Sequence, residues 1–283
     1  MVPFFHIYWP KDISLQFHYL ELRSLTSKLP WKSKAIHNVK TLVDLTEEGL
    51  GQCEQPVAVL NICSLLTFLF SDKFGVKISE RALAEFWDHA CSHYTWGPNH
   101  PGAQTHIPLG VYGDSARYTN QAGFQEKLLC ITLNLPLWAP RSVRSSRFLV
   151  FSIRESLMVD YVHTVWPIYS YIASALNELF QSGIPVKGIG CNPEARLRFT
   201  VTELRGDWAF HCDALQLNRR WSSNNCCFKC PATLTSGPFR YTDFEDNAGW
   251  VGNEFSHVQF LNLCLKPGAI CDLVLLDLVF RIL

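Results

Sequence analysis

Apolar and polar residues follow two different patterns along the chain, and the change comes near residue 105. Between residues 80 and 94 the apolar side chains recur at helical spacing, which predicts a helix with Ser79 as its N-cap. The mostly apolar run Val57 to Phe70 is too short to span a bilayer and predicts a buried core helix. We therefore expect residues 1–105 to be mainly helical.

Strand-like runs follow residue 105. They are β-branched or apolar and are bounded by Gly, Pro, Asn and Ser, which is typical of strands. In chain order the pattern predicts strands at 107–118, 127–135 and 147–153, a helix at 161–181, a strand at 197–204 and a short helix at 208–217. This β-β-β-α-β-α order predicts an α/β fold with a mixed sheet, in which the fourth strand can return beside the first.

Composition supports a folded, globular chain. The 283 residues fit one large domain or two small ones, and the shares of 48% apolar and 18% charged residues argue against disorder. Nine Trp and fifteen Pro exclude coiled-coil and linker classes. Basic and acidic residues number 25 each, so nucleic acid is not held by bulk charge alone. Such binding has to be local or to come from a partner segment.

The eleven cysteines are an odd number, and most are dispersed in apolar runs. The first ten residues are apolar but lack the basic start and the small-residue cleavage site of a secretory signal. We therefore expect an intracellular, reducing compartment with mostly buried free thiols, and neither secretion nor contact with a membrane.

Two Gly-Asp pairs are the first candidates for chemistry. Asp114 lies inside the first strand of the predicted sheet, and Asp207 lies at the end of the fourth. On neighbouring strands the two carboxylates would converge, and such a pair can hold Mg²⁺ or Mn²⁺ for phosphodiester cleavage. The alternative is that each Gly-Asp is a turn or bulge with a solvated acid.

A cysteine cluster, Cys226-Cys227-Phe228-Lys229-Cys230, follows the predicted short helix. The two-residue gap between Cys227 and Cys230 is half of a zinc site. The residues considered for the other half are His211, Cys212, Cys191, His257 and Cys264. The alternative is a turn with two buried thiols.

A basic loop and three tryptophans are candidates for nucleic-acid contacts. Arg141, Arg144 and Arg147 either contact DNA phosphates beside the proposed acid site or belong to a solvated loop. The candidates for stacking on bases are Trp138, Trp208 and Trp221, for which core packing is the alternative.

Four short motifs occur in a fixed order: Gly113-Asp114-Ser115-Ala116, Arg205-Gly206-Asp207-Trp208, Asn225-Cys226-Cys227-Phe228-Lys229-Cys230 and Leu276-Asp277-Leu278-Val279. Together with the β-β-β-α-β frame, they resemble the catalytic core of cut-and-paste DNA transposases of the RNase H-like superfamily. Within that superfamily the Plavaka and Kyakuja-Dileera-Zisupton types are the most similar. The resemblance covers approximately residues 105–280.

The resemblance implies roles for individual residues. Asp114 and Asp207 would be the first and second metal-binding acids of a DDE-type site, and Cys227 and Cys230 would belong to a cysteine motif after the second acid. It also implies an enzyme that cleaves DNA and transfers strands with Mg²⁺ or Mn²⁺. Such an enzyme would work in the nucleus, with DNA and further copies of itself as partners.

The chain departs from the family pattern near its C-terminus. In the Asp-x-x-His element expected before the third acid, Phe280 stands at the histidine position after Asp277, and the sequence ends three residues later. We therefore expect a core over 106–283 that lacks its third acid, a glutamate, and is incomplete or inactive. The substitutes considered are Glu254 and Asp272. Two alternatives stay open: a zinc-stabilised binding or scaffold module without chemistry, and a decayed reading frame without a selected function.

Overall fold

A computed structural model describes residues 35–46, 49–72, 74–94, 96–117, 126–139, 147–185, 195–235 and 237–265. Within these ranges the chain is a mixed α/β protein, with one four-stranded mixed sheet and two two-stranded sheets. None of the helices found there is long and apolar enough to cross a membrane.

An antiparallel hairpin opens the described part of the chain. Strand β1 (Ile36–Leu45) pairs with β2 (Gly51–Leu60) along their whole lengths. The last four residues of β2 are all buried. The sequence did not predict this hairpin. Because the hairpin is present, the described part of the N-terminal region is mixed α/β, and the expectation of a mainly helical region is wrong there.

The core helix predicted over 57–70 is wrong for its first four residues, which belong to β2. Asn61 ends the strand and caps helix α1 (Ile62–Leu69), because its side-chain oxygen accepts a hydrogen bond from the Ser64 amide at 2.8 Å. A strand that is fully buried has the same unbroken apolar pattern as a buried helix, so periodicity did not separate the two.

Helix α2 (Glu80–His93) confirms the helix predicted over 80–94. The Ser79 hydroxyl caps its first turn, as expected. Trp87 is fully buried, and its indole Nε1 donates to the carbonyl of His106 at 3.0 Å. This contact ties the helix to the residue that precedes the main sheet.

Three antiparallel strands begin the main sheet. They are β3 (Ile107–Arg117), β4 (Lys127–Asn134) and β5 (Arg147–Arg154), and each pairs with the next. Their bounds differ from the predicted ones by a residue at one end. The apolar and β-branched runs that form these strands explain why the local pattern was sufficient here.

A crossover brings the fourth strand back beside the first. The chain passes through a 3₁₀ turn (Glu155–Leu157), a π-helical turn (Tyr161–Val165) and helix α3 (Trp166–Gln181). Two short strands, β6 (Ile184–Pro185) and β7 (Arg196–Leu197), pair with each other before β8 (Phe199–Arg205). Strand β8 runs parallel to β3, and the order across the sheet is β5-β4-β3-β8. The predicted neighbourhood of the first and fourth strands is thereby confirmed.

The two faces of the main sheet differ in character. One face is the hydrophobic core, which α3 shares; from β3 and β4 it buries Leu109, Val111, Leu129, Ile131 and Leu133. The other face carries half-buried polar side chains: Tyr112, Asp114, Cys130, Thr132 and Asn134. We call this second face the polar face. Because successive side chains of a strand point to opposite faces, the apolar residues of β3 and β4 face the core and the polar residues between them face the other side.

A smaller apolar cluster holds the C-terminal part of the described chain. Helix α4 (Trp208–Ala214) follows β8, and helix α5 (His257–Cys264) follows a long irregular segment. Phe228 packs in one cluster with Cys212 of α4 and Phe260 of α5. Buried Arg219 links the parts, since it donates to the carbonyls of Leu263 and Cys227, both at 3.2 Å.

Candidate functional site

Asp114 and Asp207 lie just beyond the paired part of the parallel strands β3 and β8. The last parallel pair of the two strands is Tyr112 opposite Arg205, and each aspartate follows two residues later. Asp207 keeps an extended backbone, with φ −73° and ψ 171°. The alternation of side chains therefore gives both aspartates a position on the polar face.

The hydroxyl of Tyr112 interacts with both acids, by a hydrogen bond with Asp114 and electrostatically with Asp207. It donates a hydrogen bond to Asp114 Oδ2 at 2.7 Å. This bond raises the pKa of Tyr112, burial and the charges of Asp114 and Asp207 raise it further, and Arg147 lowers it. Since both carboxylates act on one hydroxyl, they lie in the same neighbourhood of the polar face.

Arg147 is the member of the basic loop that the structure describes. Its guanidinium carbon lies 5.0 Å from the centre of the Tyr112 ring, in cation–π geometry. The other two candidates for phosphate contact, Arg141 and Arg144, lie outside the described residues. The structure thus places one of the three arginines against the ring of Tyr112, whose hydroxyl donates to Asp114.

Phe210 explains why a glycine precedes each acid. A Cβ atom on Gly113 or on Gly206 would overlap the Phe210 ring, and one on Gly206 would also lie 2.6 Å from the Gly113 carbonyl oxygen. Phe210 belongs to the core cluster, so each glycine meets the ring on the core side while the next residue is directed to the polar face. Asp114 is a paired strand residue opposite Cys130, not a turn residue.

Asp207 has a structural task as well. It is the N-cap of α4, and its Oδ1 accepts a hydrogen bond from the Phe210 amide at 2.6 Å. An N-cap aspartate satisfies an amide that has no partner within the helix. The alternative interpretation of Gly206-Asp207 as a turn is thus partly realised, because the strand ends there and the helix begins.

Three titratable side chains each interact electrostatically with one of the two acids. Burial lowers the pKa of His211, although the charge of Asp207 acts in the opposite direction. Burial and then the charge of Asp114 raise the pKa of the Cys130 thiol to about 11. Burial also raises the pKa of Tyr161, and the nearby carboxylates, Asp207 among them, add to the effect. The surroundings therefore keep these three groups neutral at pH 7.

The two carboxylates supply oxygen ligands of the kind that Mg²⁺ and Mn²⁺ prefer. One oxygen of each already accepts a hydrogen bond, from Tyr112 and from the Phe210 amide. Among the described residues no three His, Cys, Asp or Glu side chains form a group that could hold a metal ion. The donor set thus fits two ligands of a divalent cation and assigns no third.

Comparison with models of known protein families, with curated proteins and with solved structures gave no match. The chemistry of the site therefore rests on its own geometry.

The two cysteines of the predicted zinc half-site do lie together. Cys227 Sγ accepts a hydrogen bond from the Lys229 amide at 3.3 Å. Burial raises the pKa of Cys230 to about 11, and a hydrogen bond with Cys227 contributes to this shift. The pair is thus in contact, in a loop with one half-buried and one buried thiol.

Of the other residues considered for this zinc site, two thiols donate to backbone carbonyls, two side chains lie outside the described residues, and His211 is described. Cys264 and Cys212 donate to the carbonyls of Phe228 and Arg219, at 3.3 and 3.2 Å. Cys191 and the His257 side chain are not among the described positions. His211 Nδ1 is buried and has no hydrogen-bond partner within the described chain.

The three candidate tryptophans divide into two kinds. Trp138 stacks on Phe148, with ring centres 5.9 Å apart, and packs against the core, as the alternative held. Trp208 and Trp221 are 39% and 66% exposed. Only these two therefore have rings open to a base.

Sequence reasoning missed two residues that shape the site. Tyr112 precedes Asp114 by two positions in a strand, a spacing that by itself predicts a shared face. Phe210 follows Asp207 by three positions, and the two glycines were the available signal that a bulky side chain packs against them.

Proposed function

We propose that this chain carries the RNase H-like core of a DDE-type cut-and-paste transposase. In it, Asp114 and Asp207 would bind Mg²⁺ or Mn²⁺ for cleavage and transfer of DNA phosphodiester bonds. The observation that carries the proposal is the parallel register of β3 and β8, whose last pair, Tyr112–Arg205, precedes each of the two aspartates by two residues. The sheet order β5-β4-β3-β8 and the crossover through α3 also support it, because they match the predicted β-β-β-α-β frame.

The residues of the polar face suit the handling of a phosphodiester. The carboxylates of Asp114 and Asp207 are hard oxygen ligands, and Arg147 offers a planar set of donors that matches a phosphate. A bound divalent metal activates water and stabilises the leaving oxygen of the phosphodiester. The chain's own task is to hold two carboxylates and one guanidinium on the same face.

We propose in addition that the site is weak or inactive. No third carboxylate joins the two aspartates among the described residues. Glu254 is exposed in the segment before α5, and Asp272 lies outside the described ranges. With two carboxylates, we expect metal binding to be weaker than in a three-carboxylate site and strand transfer to be lost.

Calorimetric titration with Mn²⁺ tests the proposal. Wild type is compared with Asp114→Asn and Asp207→Asn, and with Asp246→Asn, an exposed acid outside the site, as the matched control. We expect one binding event that both site variants lose and the control keeps. A wild type that binds no Mn²⁺, or a site variant that binds as wild type does, would contradict the shared site.

A second proposal, a zinc-stabilised module without chemistry, is favoured by the contact between Cys227 and Cys230. An amide donating to a cysteine sulfur, as Lys229 does to Cys227, suits a sulfur that carries negative charge. Buried Arg219 lies near the same loop and lowers the pKa of Cys264 against the larger effect of burial. A thiolate cluster would give this buried cation a counter-charge.

A further inference from the structure

Tyr112 contacts both the acid Asp114 and the base Arg147 on the polar face. Its hydroxyl donates to Asp114 Oδ2 at 2.7 Å, and its ring lies under the Arg147 guanidinium at 5.0 Å. The two contacts engage the hydroxyl and the ring face of one side chain. The ring is therefore fixed in place while its hydroxyl is directed at the carboxylate.

The orientation of an aspartate on a strand is otherwise poorly determined. The torsion that turns the carboxylate plane is broad rather than three-fold, so packing does not select one orientation. Hydrogen bonds to a carboxylate are short and strong because the acceptor is charged. A hydroxyl that engages one oxygen of Asp114 turns the other oxygen away in a fixed direction.

We propose that Tyr112 is a positioning residue, which orients the Asp114 carboxylate for a divalent metal ion shared with Asp207. This role rests on the proposed function. Groups that hydrogen-bond to a ligating carboxylate typically change metal affinity by about 10–100-fold when they are removed. Tyr112 is placed for such a role, because it touches the acid and leaves the opposite oxygen to the metal.

The test separates the hydroxyl from the ring. Tyr112→Phe removes the donor and keeps the ring under Arg147, whereas Tyr112→Leu removes both. Tyr241→Phe, on an exposed tyrosine far along the chain, is the matched control. In Mn²⁺ calorimetry we expect Tyr112→Phe and Tyr112→Leu to bind about tenfold more weakly than wild type, and Tyr241→Phe to bind unchanged. Urea midpoints of Tyr112→Phe and wild type should agree.

A measurement without metal reports the contact itself. In protein labelled with ¹³Cζ-tyrosine, the Tyr112 resonance is assigned by its loss in Tyr112→Phe. We expect this resonance to shift in Asp114→Asn, because the neutral amide no longer accepts as a charged group does. A resonance that stays in place would overturn the positioning role.

The two proposals fail in different ways. Wild-type protein that binds no Mn²⁺ overturns the metal site, and with it any role in orienting a ligand. Mn²⁺ binding that is lost in Asp114→Asn but unchanged in Tyr112→Phe overturns only the role of Tyr112. The expected result, loss in the first variant and about tenfold weakening in the second, supports both.

Discussion

The ring of Phe210 fills the space that a side chain at Gly113 would need. Because a Cβ atom there would overlap the ring, Gly113 is required by packing on the core side of the sheet. Gly206 meets the same ring, and the strands approach closely at these two positions. The repeated Gly-Asp motif thus combines a packing requirement on one face with an acid on the other.

Replacement of Gly113 by Ala should destabilise the fold. Overpacking of a dense core typically costs about 1–3 kcal/mol, and the buried Phe210 ring already lies against both Gly113 and Gly206. Urea unfolding would show a lower midpoint for Gly113→Ala. In the background Phe210→Leu, where the ring is gone, the same substitution should cost clearly less. An equal cost in both backgrounds would show that another neighbour is responsible.

The sequence was most informative where local signals agree. The strand bounds of β3 to β5 and the cap of α2 at Ser79 follow from β-branched runs, breakers and capping chemistry, each within a few residues. The hairpin β1–β2 was missed because its buried half, 57–60, joins the apolar α1 without a Gly or Pro between them. Asn61 lies between β2 and α1, and it can be recognised as an N-cap only when β2 is known to end at Leu60.

The site was partly predictable for a related reason. The Gly-Asp pairs single out Asp114 and Asp207, the predicted strand order brings them together, and the sheet has this order. Tyr112 was missed although its spacing from Asp114 predicts a shared face, because a tyrosine in a strand is ordinary β-sheet composition. Its hydrogen bond and the Arg147 contact arise from side-chain orientation, which no pattern in one sequence records.

Variants of Asp207 should separate its role as the N-cap of α4 from its proposed role as a metal ligand. Asp207→Ala removes the N-cap of α4 and should cost about 1 kcal/mol, whereas Asp207→Asn and Asp207→Ser keep a capping oxygen and should stay close to wild type. All three lose the carboxylate, so all three should lose the Mn²⁺ event. Urea midpoints and calorimetry on the same samples make the comparison. If Asp207→Asn and Asp207→Ala lower the urea midpoint equally, the capping bond does not contribute to stability. If Asp207→Asn still binds Mn²⁺, the Asp207 carboxylate is not a metal ligand.

Alkylation should distinguish the two thiols of the cysteine loop. Burial raises the pKa of Cys230 to about 11. At pH 8 only about one Cys230 in a thousand would then be a reactive thiolate. We expect iodoacetamide to modify half-buried Cys227 first in metal-free protein, as followed by peptide mass spectrometry. Cys53, on the hairpin, is the control thiol.

Zinc then decides between the two interpretations of the loop. If Cys227 and Cys230 are ligands, one equivalent of Zn²⁺ should slow the alkylation of both and leave the Cys53 rate unchanged, because a metal-bound sulfur is no longer a free nucleophile. Unchanged rates at Cys227 and Cys230 would leave the loop as a turn with two thiols.

Stability should fall as the pH drops below about 6.5, the ordinary histidine value, and His106 should be one cause. Its Nε2–H donates to the Phe180 carbonyl at 3.0 Å, because a carbonyl only accepts, and Nδ1 is left to accept from the Thr105 hydroxyl at 2.7 Å. Burial lowers the pKa of His106, and the charge of Arg198 lowers it further, against the effect of the Phe180 bond.

The direction follows from proton uptake in the two states. Because the folded pKa of His106 lies below the unfolded one, the unfolded chain binds the proton first as the pH falls. The stabilisation is therefore complete above about pH 6.5 and is lost as the pH falls from there towards the folded pKa. Urea midpoints between pH 7.5 and 5 should fall less steeply in His106→Gln than in wild type, while exposed His89→Gln follows wild type. Burial also lowers the pKa of His211, so His211 should still contribute part of the pH dependence of the urea midpoint in His106→Gln. A His106→Gln profile that parallels wild type throughout would assign the whole slope to other groups.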